Sequence, residues 1–281
     1  MTYKIAIPTY KRQETLQKKT LSTLLRNNIN PNKIYLFVAD EDEKKIYLSN
    51  IPRSNYNKII VGVKGLRNQR NFIQQYFNNN ENIVQFDDDI SDIKQLTVQN
   101  PSLGKKSHKL KPISNLNQFL VNAFKHLKKN NLYLFGVYPV DNAYFMQDKV
   151  TTDLRFIVGP MWGVINRKDK KLSLSIDEKE DVERTLLHYK KDKGVVRYNN
   201  ITIQTAYYSE KGGMQSENKN RTNEAMKSAK LLVKRYPNYC KLYLGKKSGH
   251  PEVRLKDKTL LKTFKKNSYH NKTKTLKNKF Y

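Results

Sequence analysis

Along the first ninety-odd positions, short continuous apolar runs alternate with longer stretches in which apolar residues recur every three or four places. The first pattern, bounded by turn residues, predicts buried strands; the second predicts amphipathic helices. Tyr3-Lys4-Ile5-Ala6-Ile7-Pro8 is a first strand, closed by Pro8-Thr9-Tyr10 and followed by a helix face of Leu16, Leu21, Leu24 and Leu25. Ile34-Tyr35-Leu36-Phe37-Val38-Ala39 is a second strand, ending in Asp40-Glu41-Asp42-Glu43, acids that suit a helix N-terminus. A third strand at 58–63 leads through Gly65 into a helix at 66–77, and Ile83-Val84-Gln85-Phe86 is the fourth. Strands and helices alternating at this spacing predict an α/β fold, a mostly parallel, doubly wound sheet with helices on both faces.

The later pattern is less regular. Residues 100–112, rich in Pro, Ser, Gly and Lys, predict a flexible basic loop. Leu116, Phe119, Leu120, Ala123, Phe124 and Leu127 trace a helix face, and 132–138 a strand. The apolar run 156–165 is interrupted by Gly159 and Gly163, which predicts two strands in close approach, with space for a ligand or a plain turn at the glycines. Acids from Asp177 to Glu183 open a helix, two strands follow at 194–198 and 201–206, and the glycine-bearing loop 209–215 is a candidate lid before a helix at 223–235. The expected organisation is one domain over 1–255, with halves 1–95 and 96–255, and a Lys-rich tail at 256–281.

In a doubly wound sheet ligands gather at the carboxyl ends of the strands. Here those ends carry Thr9-Tyr10, Asp40-Glu41, Lys64-Gly65 and Asp87-Asp88-Asp89, so polar clusters are expected to converge on one rim. Three adjacent aspartates repel one another strongly enough to raise a pKa or to demand a divalent cation held by oxygen. The plainer reading has one of them capping a helix over 91–96 and the others solvated. One cap, however, needs one acid and not three.

Charge adds a partner. Lys and Arg number 54 against 25 Asp and Glu, a net charge of +29, which favours a polyanion such as nucleic acid over the weaker alternative of an acidic membrane. AT-rich codon usage accounts for abundant Lys, Asn, Ile and Tyr but not for the excess of Lys over Glu. The single cysteine, Cys240, excludes an internal disulfide and a cysteine-cluster zinc site. With no apolar run of membrane-spanning length and no signal-peptide pattern, a soluble cytoplasmic monomer is expected.

The start Ile7-Pro8-Thr9-Tyr10, the pair Arg70-Asn71 after the third strand, and a fourth strand ending in Asp87-Asp88-Asp89 together resemble the GT-A (Rossmann-like) glycosyltransferases, over roughly the first 190 residues. The resemblance implies a nucleotide-sugar donor, a UDP-sugar by preference, and a divalent Mn2+ or Mg2+. It implies that Pro8, Thr9, Tyr10 and Arg12 line the nucleoside pocket, that Asp40 lies near the base, that Lys64 contacts the nucleotide-sugar, and that Arg70 approaches the diphosphate or the acid cluster. Asp87 and Asp88 would meet the donor, Asp87 and Asp89 the metal, with His250 a further ligand. Glu180-Asp181 matches the family's acidic pair, with Asp181 as general base. Taken with the charge and Gly159-Pro160-Met161-Trp162-Gly163, the chain looks like phage and viral DNA glycosyltransferases, the group found beside TET-type dioxygenases and relatives of the base J glucosyltransferase. These act on the hydroxymethyl group of a modified pyrimidine in duplex DNA. That narrower resemblance would have Trp162 or Tyr144 stack an extruded base and Lys105, Lys106, Lys109 and Lys111 meet phosphates; core packing would suit Trp162 equally. The rival readings are a glycosyltransferase with a protein, lipid or polysaccharide acceptor, and a non-enzymatic nucleic-acid binder with a structural Asp run.

Overall fold

The computed structural model describes residues 1–205, 213, 221–245 and 249–256. Its first four strands, β1 (Lys4–Pro8), β2 (Ile34–Val38), β3 (Lys58–Val61) and β4 (Asn82–Phe86), pair in parallel in the order β3-β2-β1-β4. Between them run α1 (Gln13–Leu16) and α2 (Ser22–Arg26), joined by a π-helical stretch at Gln17–Leu21, then α3 (Glu41–Asn50) and α4 (Leu66–Tyr76). This is the α/β half that the apolar periodicity predicts.

Beyond β4 the chain does not form the helix considered for 91–96. Asp88 and Asp89 make a tight turn, and β5 (Ile90–Val98) runs straight out of it. Thr20 fixes that turn: its hydroxyl donates to the Asp87 carbonyl at 2.7 Å and accepts from the Ile90 amide at 2.9 Å. The basic stretch expected as a loop is also ordered, as a 3-10 segment Pro101–Ser107 and an edge strand β6 (His108–Pro112) antiparallel to β5.

Next come α5 (Leu116–Lys129), β7 (Leu134–Tyr138), β8 (Val150–Thr151), β9 (Met161–Ile165), α6 (Glu180–Asp192) and β10 (Val196–Thr205). The sheet continues as β4-β9-β7-β10-β5-β6, with β8 beside β10 and mixed pairing throughout. The two strands expected at 194–206 are one: β10 runs parallel to β7 up to Tyr198, shifts register, then runs antiparallel to β5 from Ile201. Likewise 156–165 yields a single strand. Gly163 serves packing there, because a Cβ would collide with the Phe135 ring on β7.

Side-chain alternation along the central strands separates two apolar layers. Ile5, Ile7 and Leu36 face Leu16, Leu24 and Phe124 of α1, α2 and α5, while Ala6 and Phe37 face Ile73, Leu186 and Leu232. The last of these belongs to α7 (Arg221–Arg235), which packs on a small ribbon of β11 (Cys240–Tyr243) and β12 (Glu252–Leu255). Helices therefore cover both faces of one sheet, which passes without a break through the two halves expected from the sequence. Among the described residues no helix is long and apolar enough to cross a membrane. Residues 257–281 lie outside the described part of the chain.

Candidate active site

A cleft of about 1430 Å³ opens where β1, β3 and β4 end, walled on the far side by the segment before β9, the start of α6 and part of α7. That volume exceeds the roughly 300–1,000 Å³ of a typical small-ligand pocket, leaving room for two substrates side by side. Pro8, Thr9, Tyr10, Arg12, Lys64 and Arg70 line it, and so do all three aspartates of the β4–β5 turn together with Glu180 and Asp181. The convergence read from the strand ends is thus present, and α6 brings the second acidic pair to it across ninety residues of sequence.

The three aspartates differ in environment. Asp88 points inward, 5 % exposed, and accepts from the Thr9 hydroxyl at 2.8 Å and from Arg12 Nη1 at 3.0 Å. Tyr47 of α3 braces the same loop, its hydroxyl 2.7 Å from Thr9 Oγ1 and accepting from the Arg12 amide at 3.1 Å. Lys11, held in the left-handed region at φ 53°, donates its amide to Glu43. Burial raises Asp88 to about 6 even against the Arg12 charge. Asp88 therefore ties the β1 loop to the acid turn and is spent on that task. Asp89 stays partly open, 3.8 Å from Arg12, and burial followed by repulsion from Asp87 and Asp88 raises its pKa to about 7.

Asp87 belongs to a network centred on Arg70. The Arg70 side chain is 1 % exposed, and its guanidinium reaches Asp87 at 2.9 Å, Gln85 at 3.0 Å and Glu180 at 3.1 Å. Burial works against that charge, but Glu180 and Asp87 outweigh it and the pKa goes up. Glu180 also binds Arg184, one helical turn along α6, at 2.7 Å. Arg70→Ala would leave Glu180 with Arg184 alone of its two arginines and take the guanidinium from Asp87, and breaking a buried pair costs about 3–5 kcal/mol. We expect urea melts to show a loss of that size, with little recovery in Arg70→Lys, because an ammonium cannot fork to three partners; a melt like that of the unaltered protein would reduce the network to a spectator.

Unlike Glu180 beside it, Asp181 has no arginine hydrogen-bonded to its side chain among the described residues. Its carboxylate accepts from the Val182 amide at 2.8 Å, and burial, then Glu180, push its pKa up to about 6. A Cβ at Gly159 would stand 3.5–3.6 Å from Glu180 Oε1 and Asp181 Oδ2, so this glycine keeps the approach to the pair open.

Asp87 and Asp89 offer hard oxygen donors, and the raised Asp89 pKa reports the excess negative charge that a divalent cation would relieve. That donor chemistry fits Mg2+ or Mn2+ in part. Among the described residues no group of three or more His, Cys, Asp or Glu converges as a metal cage, so those residues by themselves would supply an incomplete ligand set. His250 neither lines the cleft nor joins the aspartates.

Other expectations need correction. Asp40 does not line the cleft; its side chain caps α3, accepting from the Glu43 amide at 2.9 Å. Trp162 is 5 % exposed, with the Arg184 guanidinium 4.0 Å and that of Arg70 5.7 Å from its ring, which leaves no face for a base. Tyr144 is 54 % exposed but lies away from the cleft, where the Lys105 ammonium sits 5.2 Å from its ring. Lys105, Lys106, Lys109 and Lys111 are exposed on and near β6, also away from the cleft lining. Loop 209–215 lies outside the described residues apart from Gly213, whose amide donates to the Tyr10 carbonyl at 3.1 Å. Sequence reading missed Gln85 and Arg184 as partners of the acid network. The Glu180/Arg184 spacing of four on a helix was a usable signal; Gln85, inside an apolar strand, gave only its polarity.

No protein-family model matches the chain, and no curated protein does. Among solved structures it is similar to S. aureus TarS, at 12 % identity and a TM-score of 0.45, with 70 % of this chain matched. It spans only 35 % of TarS. A mycobacterial protein matches at 8 % identity and 0.44, covering 90 % of this chain and 83 % of that one. The 4-diphosphocytidyl-2C-methyl-D-erythritol synthase of Anaerococcus prevotii matches at 13 % and 0.38, covering 73 % and 92 %.

Proposed function

We propose that the protein is a glycosyltransferase that moves a sugar from a nucleotide-sugar, a UDP-sugar by preference, to the hydroxymethyl group of a modified pyrimidine in DNA. The observation that carries this reading is the meeting of Asp89 and Asp181 in one cleft at the carboxyl ends of parallel strands, linked through Asp87, Arg70 and Glu180. Thr9, Tyr10 and Lys64 would face the nucleoside and its diphosphate. Asp87 and Asp89 would hold Mg2+ or Mn2+, and such an ion supplies charge neutralisation for a departing diphosphate. The acceptor hydroxyl attacks the anomeric carbon, the bond from that carbon to the diphosphate oxygen breaks with its electron pair leaving on the nucleotide, and the hydroxyl proton passes to the Asp181 carboxylate. This assignment is for an inverting outcome.

The DNA acceptor is supported by the +29 charge and by the basic, aromatic surface around β6. β6 runs back along β5, so Lys111 stands beside Gln95 and Lys109 beside Thr97, about 17–23 Å along β5 from the acid turn at a strand rise of roughly 3.3 Å per residue. That surface would meet backbone phosphates about five to seven base pairs from a base held in the cleft, at roughly 3.4 Å per pair. Incubation with UDP-sugars and Mn2+, with and without hydroxymethylated duplex, tests donor and acceptor together. Duplex affinity, followed by fluorescence anisotropy, should fall with a log-log salt slope of magnitude about five or more. Substituting Gln at Lys105, Lys106, Lys109 and Lys111 should weaken DNA binding and transfer while sparing donor hydrolysis. Weak, salt-insensitive binding with no label in DNA would turn the reading toward a protein, lipid or polysaccharide acceptor.

A further inference from the structure

Next to the acid network, with Arg70 common to its wall and that of the cleft, lies a second cavity of about 30 Å³. A single water needs roughly 10–15 Å³, so there is room for one or two occupants of that size. Arg70, Trp162, Arg167, Arg184 and His188 line it alongside several amides, and among the described residues its wall holds no Asp or Glu.

Five polar atoms of the wall residues lack a hydrogen-bond partner among the described residues: Trp162 Nε1, Arg184 Nε, Arg184 Nη2, Arg167 Nε and Arg70 Nε, the last of which still forms an ion pair with Glu180 at 3.1 Å. All five are donors and none can accept. Arg184 is 3 % exposed and Trp162 5 %. The acids that serve Arg184 and Arg167 bind their other nitrogens. Glu180 takes Arg184 Nη1, and Asp192 takes both terminal nitrogens of Arg167, at 2.8 and 2.6 Å.

An occupant must therefore accept from several donors at once. Water would bring two protons of its own, and two of the wall's side-chain acceptors are already engaged: Gln85 Oε1 by Arg70 and His188 Nδ1 by Arg167 Nη2 at 3.2 Å. A monatomic anion accepts from every side and has no proton to place. Charge agrees with this, since burial lowers the Arg184 pKa, with repulsion from Arg70 adding to it, against the pull of Glu180.

We propose that this cavity is a halide site, holding chloride between the Trp162 indole N–H, Arg184 and Arg167. The ion would complete the cationic side of the Arg70–Glu180–Arg184 network and so fix Glu180 behind Asp181. The inference stands apart from the acceptor and donor of the proposed reaction.

Crystals soaked in sodium bromide should show an anomalous peak within hydrogen-bonding distance of Trp162 Nε1. Melting in sodium chloride against sodium gluconate at matched ionic strength should give a Tm higher in chloride by about 2–4 °C, the shift expected for a modest binding energy in a chain of this size. Trp162→Phe keeps the ring and removes the donor, so the chloride preference should shrink or vanish. A general effect of anions on the +29 surface would survive that substitution unchanged. A cavity peak without anomalous signal, or an equal chloride preference in both proteins, overturns the proposal in favour of ordered water. Should Trp162→Phe fail to fold, the bromide map of the unaltered protein decides alone.

Discussion

Replacing Asp181 by Asn should lower turnover by about two to four orders of magnitude while donor binding persists, the usual worth of a general base. The expectation rests on what surrounds this carboxylate. Glu180 is clamped by Arg70 and Arg184, whereas Asp181 lines the cleft with, among the described residues, the Val182 amide alone hydrogen-bonded to its side chain. Its pKa, raised to about 6 by burial and then by Glu180, brings its basicity closer to neutrality than an ordinary carboxylate while leaving it ionised at pH 7. The sign of the pH dependence follows. A base must be unprotonated, so kcat/KM should fall on the acid side with a midpoint near 6, dropping about tenfold for each further pH unit. An ordinary aspartate would hold the plateau down to about pH 4. Glu180→Gln should behave differently, losing stability through its two arginines before it loses a chemical step. A loss of less than tenfold in Asp181→Asn, or an acid limb that the substitution leaves in place, would demote Asp181 to a helix-start residue.

The parallel half was legible because its signals were local. β1 to β4 are apolar runs closed by Pro8, by acids or by glycine, and their parallel pairing follows from alternation, though the placing of β4 on the far side of β1 does not. The mixed half was not, because its pairings are set by tertiary context. β5 carries polar residues such as Asp92, Lys94 and Gln95 in positions that read equally well as a helix, and only hydrogen bonding to β10 and β6 settles the matter. At the site, the arrival of Asp87 and Asp89 in the cleft followed from their place at a strand end, and that of Asp181 from the family resemblance. The setting of Trp162 could not be read, since the two guanidiniums near its ring come from α4 and α6, about ninety and twenty residues away in sequence, and no local pattern announces them. Asp40 illustrates the opposite error: a strand-end acid was counted toward the rim when the helix it precedes needed a cap.

Asp89→Asn should produce a protein that is more stable at pH 8 and inactive. Burial and the neighbouring Asp87 and Asp88 raise the Asp89 carboxyl from 3.8 to about 7. A raised carboxyl pKa means that between those values the folded state binds a proton that the unfolded chain releases, so stability declines as pH rises through that window. Above pH 7 the penalty is complete, on the order of a few kcal/mol as an upper bound, since one pKa unit is worth about 1.4 kcal/mol and Arg12 and solvent offset part of it. Asn has the same shape and no charge. Its melting temperature should therefore exceed that of the unaltered protein at pH 8, and the gap should close toward pH 4, where both side chains are neutral. Function should move the other way. Two carboxylates facing a diphosphate repel it unless a cation intervenes, and removing one weakens the cation's hold, so Mn2+-dependent binding of UDP by calorimetry should be lost. Transfer should fall by about a thousandfold or more, the equivalent of the several kcal/mol such an ion contributes. A stabilised Asp89→Asn that still binds UDP with Mn2+ as tightly as before would strip Asp89 of its metal role. A variant that is not stabilised at pH 8 would show instead that Arg12, or a neighbour beyond the described residues, already neutralises the turn.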